Sequence, residues 1–110
     1  MAATPLDLLQ GTLDVLILKT LSWEPMHGYG VSRWIGQRTG GVLGIDDAAL
    51  YQALHRLERK RWIEAEWGLS ENNRRAKFYR LTALGRRELD NEAEYWTRIA
   101  SAVTRVMQTA

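Results

Sequence analysis

Apolar residues recur every three or four positions along most of the chain, which predicts a largely helical protein. The first predicted helix starts with Thr4 as its N-cap and ends near Ser22. The second starts after His27 and ends at Gly40 and Gly41, because consecutive glycines seldom continue a helix.

A third predicted helix, from a turn at residues 44–47 to about Arg61 or Trp62, separates apolar from polar side chains most clearly. Its apolar arc consists of Leu50, Ala53, Leu54 and Leu57. Its opposite face carries Tyr51, Gln52, His55, Arg56 and Arg59. The arc can pack into a core, whereas the donors, ring and cations of the other face fit a DNA major groove. The alternative is a solvated face whose arginines pair with Glu58 or with the acidic strand that follows.

Over residues 63–69 the helical spacing ends, and apolar residues alternate with charged residues or glycine. This alternation predicts a half-buried strand. A polar turn at 70–75 leads to its antiparallel partner, residues 77–81, and Thr82 caps a last helix that continues nearly to the end. The predicted fold is mostly α with a small β-hairpin: a winged helix-turn-helix plus a long C-terminal dimerisation helix. Residues 1–82 are expected to form the DNA-binding domain and residues 83–110 the dimerisation helix.

The charge of the chain is concentrated in its middle. The 110 residues carry a net charge of +2, but residues 71–87 alone sum to +5, and residues 1–26 and 88–110 sum to −2 each. Such a cationic segment attracts a polyanion. The absence of cysteine excludes a disulfide framework and a zinc finger.

The predicted hairpin tip would form the wing. Its hydrogen-bonding and cationic residues are Asn72, Asn73, Arg74, Arg75 and Lys77. Such side chains suit the minor groove and its phosphates. The alternative is a merely solvated tip, since most hairpin tips are polar.

The last helix carries an apolar stripe that continues beyond what one winged helix can cover. The stripe consists of Leu89, Ala93, Trp96, Ala100, Val103 and Met107, widened by Ile99 and Val106. Spacings of three and four favour a coiled-coil-like homodimer interface. Leu6, Leu9 and Leu13 of the first helix could complete it.

Three segments of the chain closely resemble the PadR family of bacterial transcription regulators: residues 27–29, 50–58 and 77–86. The resemblance covers roughly residues 8–90 and implies a homodimeric winged-helix repressor of the short subfamily, bound to a pseudo-palindromic operator in double-stranded DNA. Three positions depart from the family pattern, which usually has proline at Gln52, glycine near Arg61 and a larger residue at Gly30. Gln52 adds a side chain that can pair with adenine.

The resemblance also implies a possible effector, because some short relatives stack planar aromatic molecules on tryptophans between their C-terminal helices. Here Trp96, with its small neighbours Ala93 and Ala100, is the candidate ligand site, although Trp96 could instead fill the dimer core. His27 is expected to cap the second helix. Tyr29 is expected to pack in the core or to reach a DNA phosphate.

Other function classes receive less support from the sequence. Two histidines without a nearby acid or cysteine are poor support for catalysis or a metal site, so neither an enzyme nor a cofactor is expected. The apolar run at residues 13–18 is interrupted by Asp14 and is too short to span a membrane, which favours a cytoplasmic protein. A protein-interaction module and a protein that sequesters aromatic compounds remain open.

Overall fold

The computed structural model describes residues 10–110. The predicted cap at Thr4 and the predicted interface residues Leu6 and Leu9 lie outside the described residues. In chain order, the elements are α1 (Gln10–Leu21), β1 (Met26–His27), α2 (Gly28–Arg38), α3 (Asp47–Arg59), β2 (Ile63–Leu69), β3 (Arg75–Leu81) and α4 (Ala83–Gln108). The predicted mostly helical fold with a hairpin and a long last helix is confirmed.

The core forms where α1, α2 and α3 pack together and against the sheet. Its fully buried side chains include Ile17, Leu18, Val31, Ile35 and Ile63. All four members of the predicted apolar arc of α3 are at most 1% exposed. The prediction that Tyr29 packs in the core is wrong, because its side chain is 63% exposed at the start of α2.

The sheet has three antiparallel strands in the order β1-β3-β2. The two-residue strand β1, which the sequence pattern does not reveal, pairs Met26 with Tyr79 and His27 with Phe78. Because β1 is so short, the rest of the hairpin has pairing on one side only. Ile63 at the start of β2 is buried, whereas Trp67 and Leu69 at its far end are more than half exposed, so only the first part of this strand is covered by the core.

The end of α3 places Arg61 in a left-handed backbone conformation that glycine normally supplies. The helix ends at Arg59, two or three residues earlier than predicted, and Arg61 has a φ of 64°. The Trp62 amide donates to the Leu57 carbonyl and the Arg61 amide donates to that of Glu58. These two bonds form the Schellman motif, whose left-handed residue is normally glycine. Arg61 therefore adopts a conformation that its Cβ disfavours.

The first turn of α4 packs directly on this corner. Thr82 Oγ1 accepts a hydrogen bond from the Gly85 amide at 3.0 Å, which confirms the predicted cap. The same hydroxyl donates to the Arg61 carbonyl at 2.7 Å. A Cβ on Gly85 would lie 1.8 Å from the Trp62 carbonyl oxygen, so glycine is required for this approach. The corner thus fixes the direction in which α4 leaves the winged helix.

Beyond Leu89, α4 extends away from the rest of the fold. Leu89 is buried, whereas Ala93 and most residues after it are exposed. Within the described part of the chain, none of the helices combines the length and the apolar character needed to cross a membrane.

We expect Arg61→Gly to stabilise the fold by about 1 kcal/mol, because glycine adopts the left-handed conformation without a Cβ penalty. The free energy of unfolding in urea measures the change. Arg87→Gly, at an exposed position inside α4, is the matched control and should cost about 1 kcal/mol instead. Equal losses from both substitutions would contradict this account of Arg61.

Candidate nucleic-acid interface

The polar face of α3 lies on the surface of the protein. Asp46 caps the helix by accepting a hydrogen bond from the Ala49 amide at 3.1 Å. Four of the five predicted contact residues are exposed: Tyr51, Gln52, His55 and Arg59. Their helix is held by the buried arc on its other side, so these groups are presented by a rigid element.

Arg56, the fifth predicted contact residue, is engaged by α1. Its Nη2 and Nε donate to the two carboxylate oxygens of Asp14 at 2.5 and 3.4 Å. The Arg56 and Asp14 side chains are only 20% and 10% exposed. The partner is neither Glu58 nor the acidic strand. The pair ties α3 to α1, and a DNA contact by Arg56 stays a prediction.

Asp14 is a residue whose role sequence reasoning missed. The sequence does contain an indication of this role, because Asp14 interrupts an otherwise apolar run. A carboxylate at such a position needs a partner when the helix is buried. The sequence does not specify which cation supplies it, since Arg56 lies 42 positions away.

The wing is a tight turn with an exposed cationic tip. The Asn73 amide donates to the Ser70 carbonyl, the Ser70 amide donates to the Arg74 carbonyl, and Asn73 has a φ of 58°, which asparagine tolerates. The predicted residues Asn72, Asn73, Arg74 and Arg75 are all exposed.

Lys77 lies further from the tip and is half-buried. Its Nζ donates to a Glu58 carboxylate oxygen at 3.2 Å, so this lysine joins β3 to α3. Its charge is therefore partly balanced within the subunit. Tyr79, two residues on, is buried, and desolvation raises the pKa of its hydroxyl above the usual value.

His27 caps α2, as predicted: its Nδ1 accepts a hydrogen bond from the Gly30 amide at 3.0 Å. Its Nε2 faces the wing and lies 3.9 Å from the Glu71 carboxylate. Next to it, Gly28 makes room for the Tyr51 ring, whose atoms would lie 3.0–3.1 Å from a Cβ. The starts of α2 and α3 are thus packed closely beside the hairpin.

The predicted ligand site lies on α4, away from the wing. Trp96 is 48% exposed and lines a shallow depression of about 410 Å³ together with Ala100, whereas Ala93 is not part of its lining. Of the predicted interface residues on this helix, Ile99, Val103, Val106 and Met107 are between 46% and 78% exposed. Leu13 and Leu89, also predicted to lie at the interface, are buried in the core at 4% and 7% exposure, which leaves them little surface for a partner.

Three helices, a capped α2–α3 pair and a cationic hairpin define the winged helix-turn-helix class. The chain belongs to the transcriptional regulator PadR-like family, whose model matches residues 17–91. Membership supports DNA-binding regulation as its function, and the solved structures that it resembles include transcriptional regulators.

Individual proteins are similar to this chain over most of its length. The chain is 32% identical over 102 residues to an uncharacterised protein of Lysinibacillus sphaericus, covering 93% of this chain and 94% of that protein. A transcriptional regulator from Clostridium thermocellum is similar with a TM-score of 0.79 and 28% identity, over 87% of this chain and 93% of that one. A PadR family transcriptional regulator from Eggerthella lenta has a TM-score of 0.76 and 28% identity, over 92% and 86%.

We expect Arg56→Met to destabilise the fold by about 2–4 kcal/mol, because it leaves the Asp14 carboxylate buried without a partner. Urea unfolding of the single variant and of the double variant Asp14→Leu/Arg56→Met measures the effect. The double variant should recover most of the loss, since an apolar pair of similar size replaces the ion pair. A single variant with unchanged stability would show that the pair does not hold α3.

Proposed function

We propose that this PadR-like protein is a homodimeric repressor that binds a pseudo-palindromic operator in double-stranded DNA. The observation that carries the proposal is the exposed polar face of α3, presented beside a cationic wing by a buried scaffold. Two such faces in one dimer would enter successive major grooves about 34 Å apart.

Base recognition is assigned to the polar face of α3. Gln52 is exposed and can form two hydrogen bonds with adenine, and Arg59 can do the same with guanine. His55 lies between them on the same face. Tyr51 is near the helix start, where a phosphate is the closer partner. Arg56 is already engaged by Asp14, so we assign it to positioning α3 in addition to its predicted DNA contact.

Phosphate binding is assigned to the wing. Arg74 and Arg75 are exposed, and Asn72 and Asn73 add amide donors at the tip. Lys77 contributes less, because Glu58 already engages its ammonium group. Contacts of this kind position the protein without reading sequence, and they weaken as salt displaces the released counterions.

Dimerisation is assigned to α4. The apolar residues Ile99, Val103, Val106 and Met107 follow one another along the exposed half of this helix. A contiguous apolar stripe on a soluble protein indicates an interaction surface, and a second copy of the same helix supplies a matching one.

Release from the operator is assigned to a planar aromatic effector between the two α4 helices, stacked on Trp96 beside Ala93 and Ala100. The half-exposed indole and the depression next to it support this role. An effector that alters the packing of α4 would change the separation of the two wings, so that both half-sites are no longer engaged together.

We expect Gln52→Ala to relax base preference, and Arg74→Ala to weaken binding to all duplexes alike and to lower the salt slope by about one unit. Fluorescence anisotropy with a random duplex and with a selected duplex, each at several salt concentrations, separates the two effects. Arg105→Ala, which removes one charge near the end of α4, is the control and should leave both affinities unchanged. Failure of the unaltered protein to bind duplex DNA at low salt would contradict the proposal and favour a protein-interaction module.

We expect Val103→Asp to convert the dimer to a monomer, because it places a carboxylate inside the apolar interface. Sedimentation velocity measures the mass. Gln108→Asp is the matched control, since it is exposed outside the depression at Trp96 and five residues along a helix turn the side chain about 140° away. A Val103→Asp protein that sediments as the unaltered protein does would contradict the assignment of α4.

A further inference from the structure

A cleft of about 540 Å³ lies between the first turns of α2 and α3 and the hairpin. Four aromatic side chains line it: Tyr29, Tyr51, Trp67 and Tyr79. Tyr29, Tyr51 and Trp67 are each more than half exposed although they are large rings. The volume falls in the range of sites that take small organic ligands, which are mostly lined by aromatic and apolar groups with few charges.

The charges of the cleft favour an anion. Arg75 and Lys77 line it, against a single acid, Glu71, whose carboxylate faces His27 at 3.9 Å. Lys77 is paired with Glu58. The Arg75 guanidinium lies 4.8 Å from the centre of the Trp67 ring, and within residues 10–110 it forms no ion pair. Arg75 is therefore a cation oriented over an aromatic wall and available to an incoming acid.

We propose that this cleft is a second ligand site, which binds a planar aromatic molecule bearing one anionic group. The ring of the ligand lies against Trp67 and Tyr51, and its anion accepts hydrogen bonds from Arg75. The aromatic rings and the cation that such a ligand needs both line this cleft, on the wing side of the molecule. The depression at Trp96, in contrast, lies on α4.

Occupation of the cleft has a consequence that rests on the proposed function. Tyr51 and Arg75 line the cleft and are also assigned to DNA. A ligand held between them covers both side chains, so ligand and operator exclude each other. Regulation at this site needs no change in the α4 helices.

The test uses 1-naphthalenesulfonate, titrated without DNA into isotopically labelled protein and followed by amide chemical shifts. We expect the amides of Gly28 and Ala76, which line the cleft, to shift on binding. Arg75→Gln should raise the dissociation constant read at these amides by about tenfold or more, because a charge-assisted hydrogen bond is lost. Neutral 1-naphthalenesulfonamide should bind the unaltered and Arg75→Gln proteins equally.

Arg86→Gln is the control, since it removes one exposed charge at the start of α4, outside the cleft lining. It should keep the affinity of the unaltered protein. Unshifted amides at Gly28 and Ala76, or equal losses in Arg75→Gln and Arg86→Gln, would overturn the proposal. Because the titration contains no DNA, its result does not depend on whether the protein binds an operator. The two proposals can therefore fail separately.

Discussion

Burial of the apolar arc of α3 against α1 and α2 is the constraint on which the rest of the structure depends. Leu50, Ala53, Leu54 and Leu57 are all at most 1% exposed, and each of the three leucine side chains contributes about 1.5–3 kcal/mol when removed from water. A helix that buries one arc this fully has a single orientation about its axis. The polar face of α3 therefore points outward because of core packing, before any partner is present.

Two polar contacts refine that orientation. Asp14 holds Arg56 from the α1 side, and Lys77 holds Glu58 from the hairpin side. An apolar arc fixes rotation but permits small sliding, whereas hydrogen-bonded ion pairs specify distance and direction. The hairpin and the first helix thus both act on the placement of α3. Arg56 and Glu58 therefore serve the fold, whereas the exposed side chains on the polar face of the same helix have no such partner within residues 10–110 and are the ones proposed for recognition.

Much of this architecture follows from periodicity that can be read along the chain. The arc of α3, the caps at His27 and Thr82 and the hairpin all arise from local rules of spacing and capping. What could not be predicted depends on non-local partners. The short strand β1 exists because β3 offers a free edge, and Arg56 is paired because α1 passes beside it. Similarly, the aromatic cleft combines side chains from α2, α3 and both strands of the hairpin, which no local pattern brings together.

The central claim is that two copies of the polar face of α3 read one DNA site. Selection of bound duplexes from a random pool tests it most directly, because the symmetry of the enriched sequence reports the arrangement of the two subunits. The account predicts an inverted repeat whose half-sites are centred about 10 base pairs apart. Enrichment of an unrepeated sequence, or no enrichment at low salt, would contradict it.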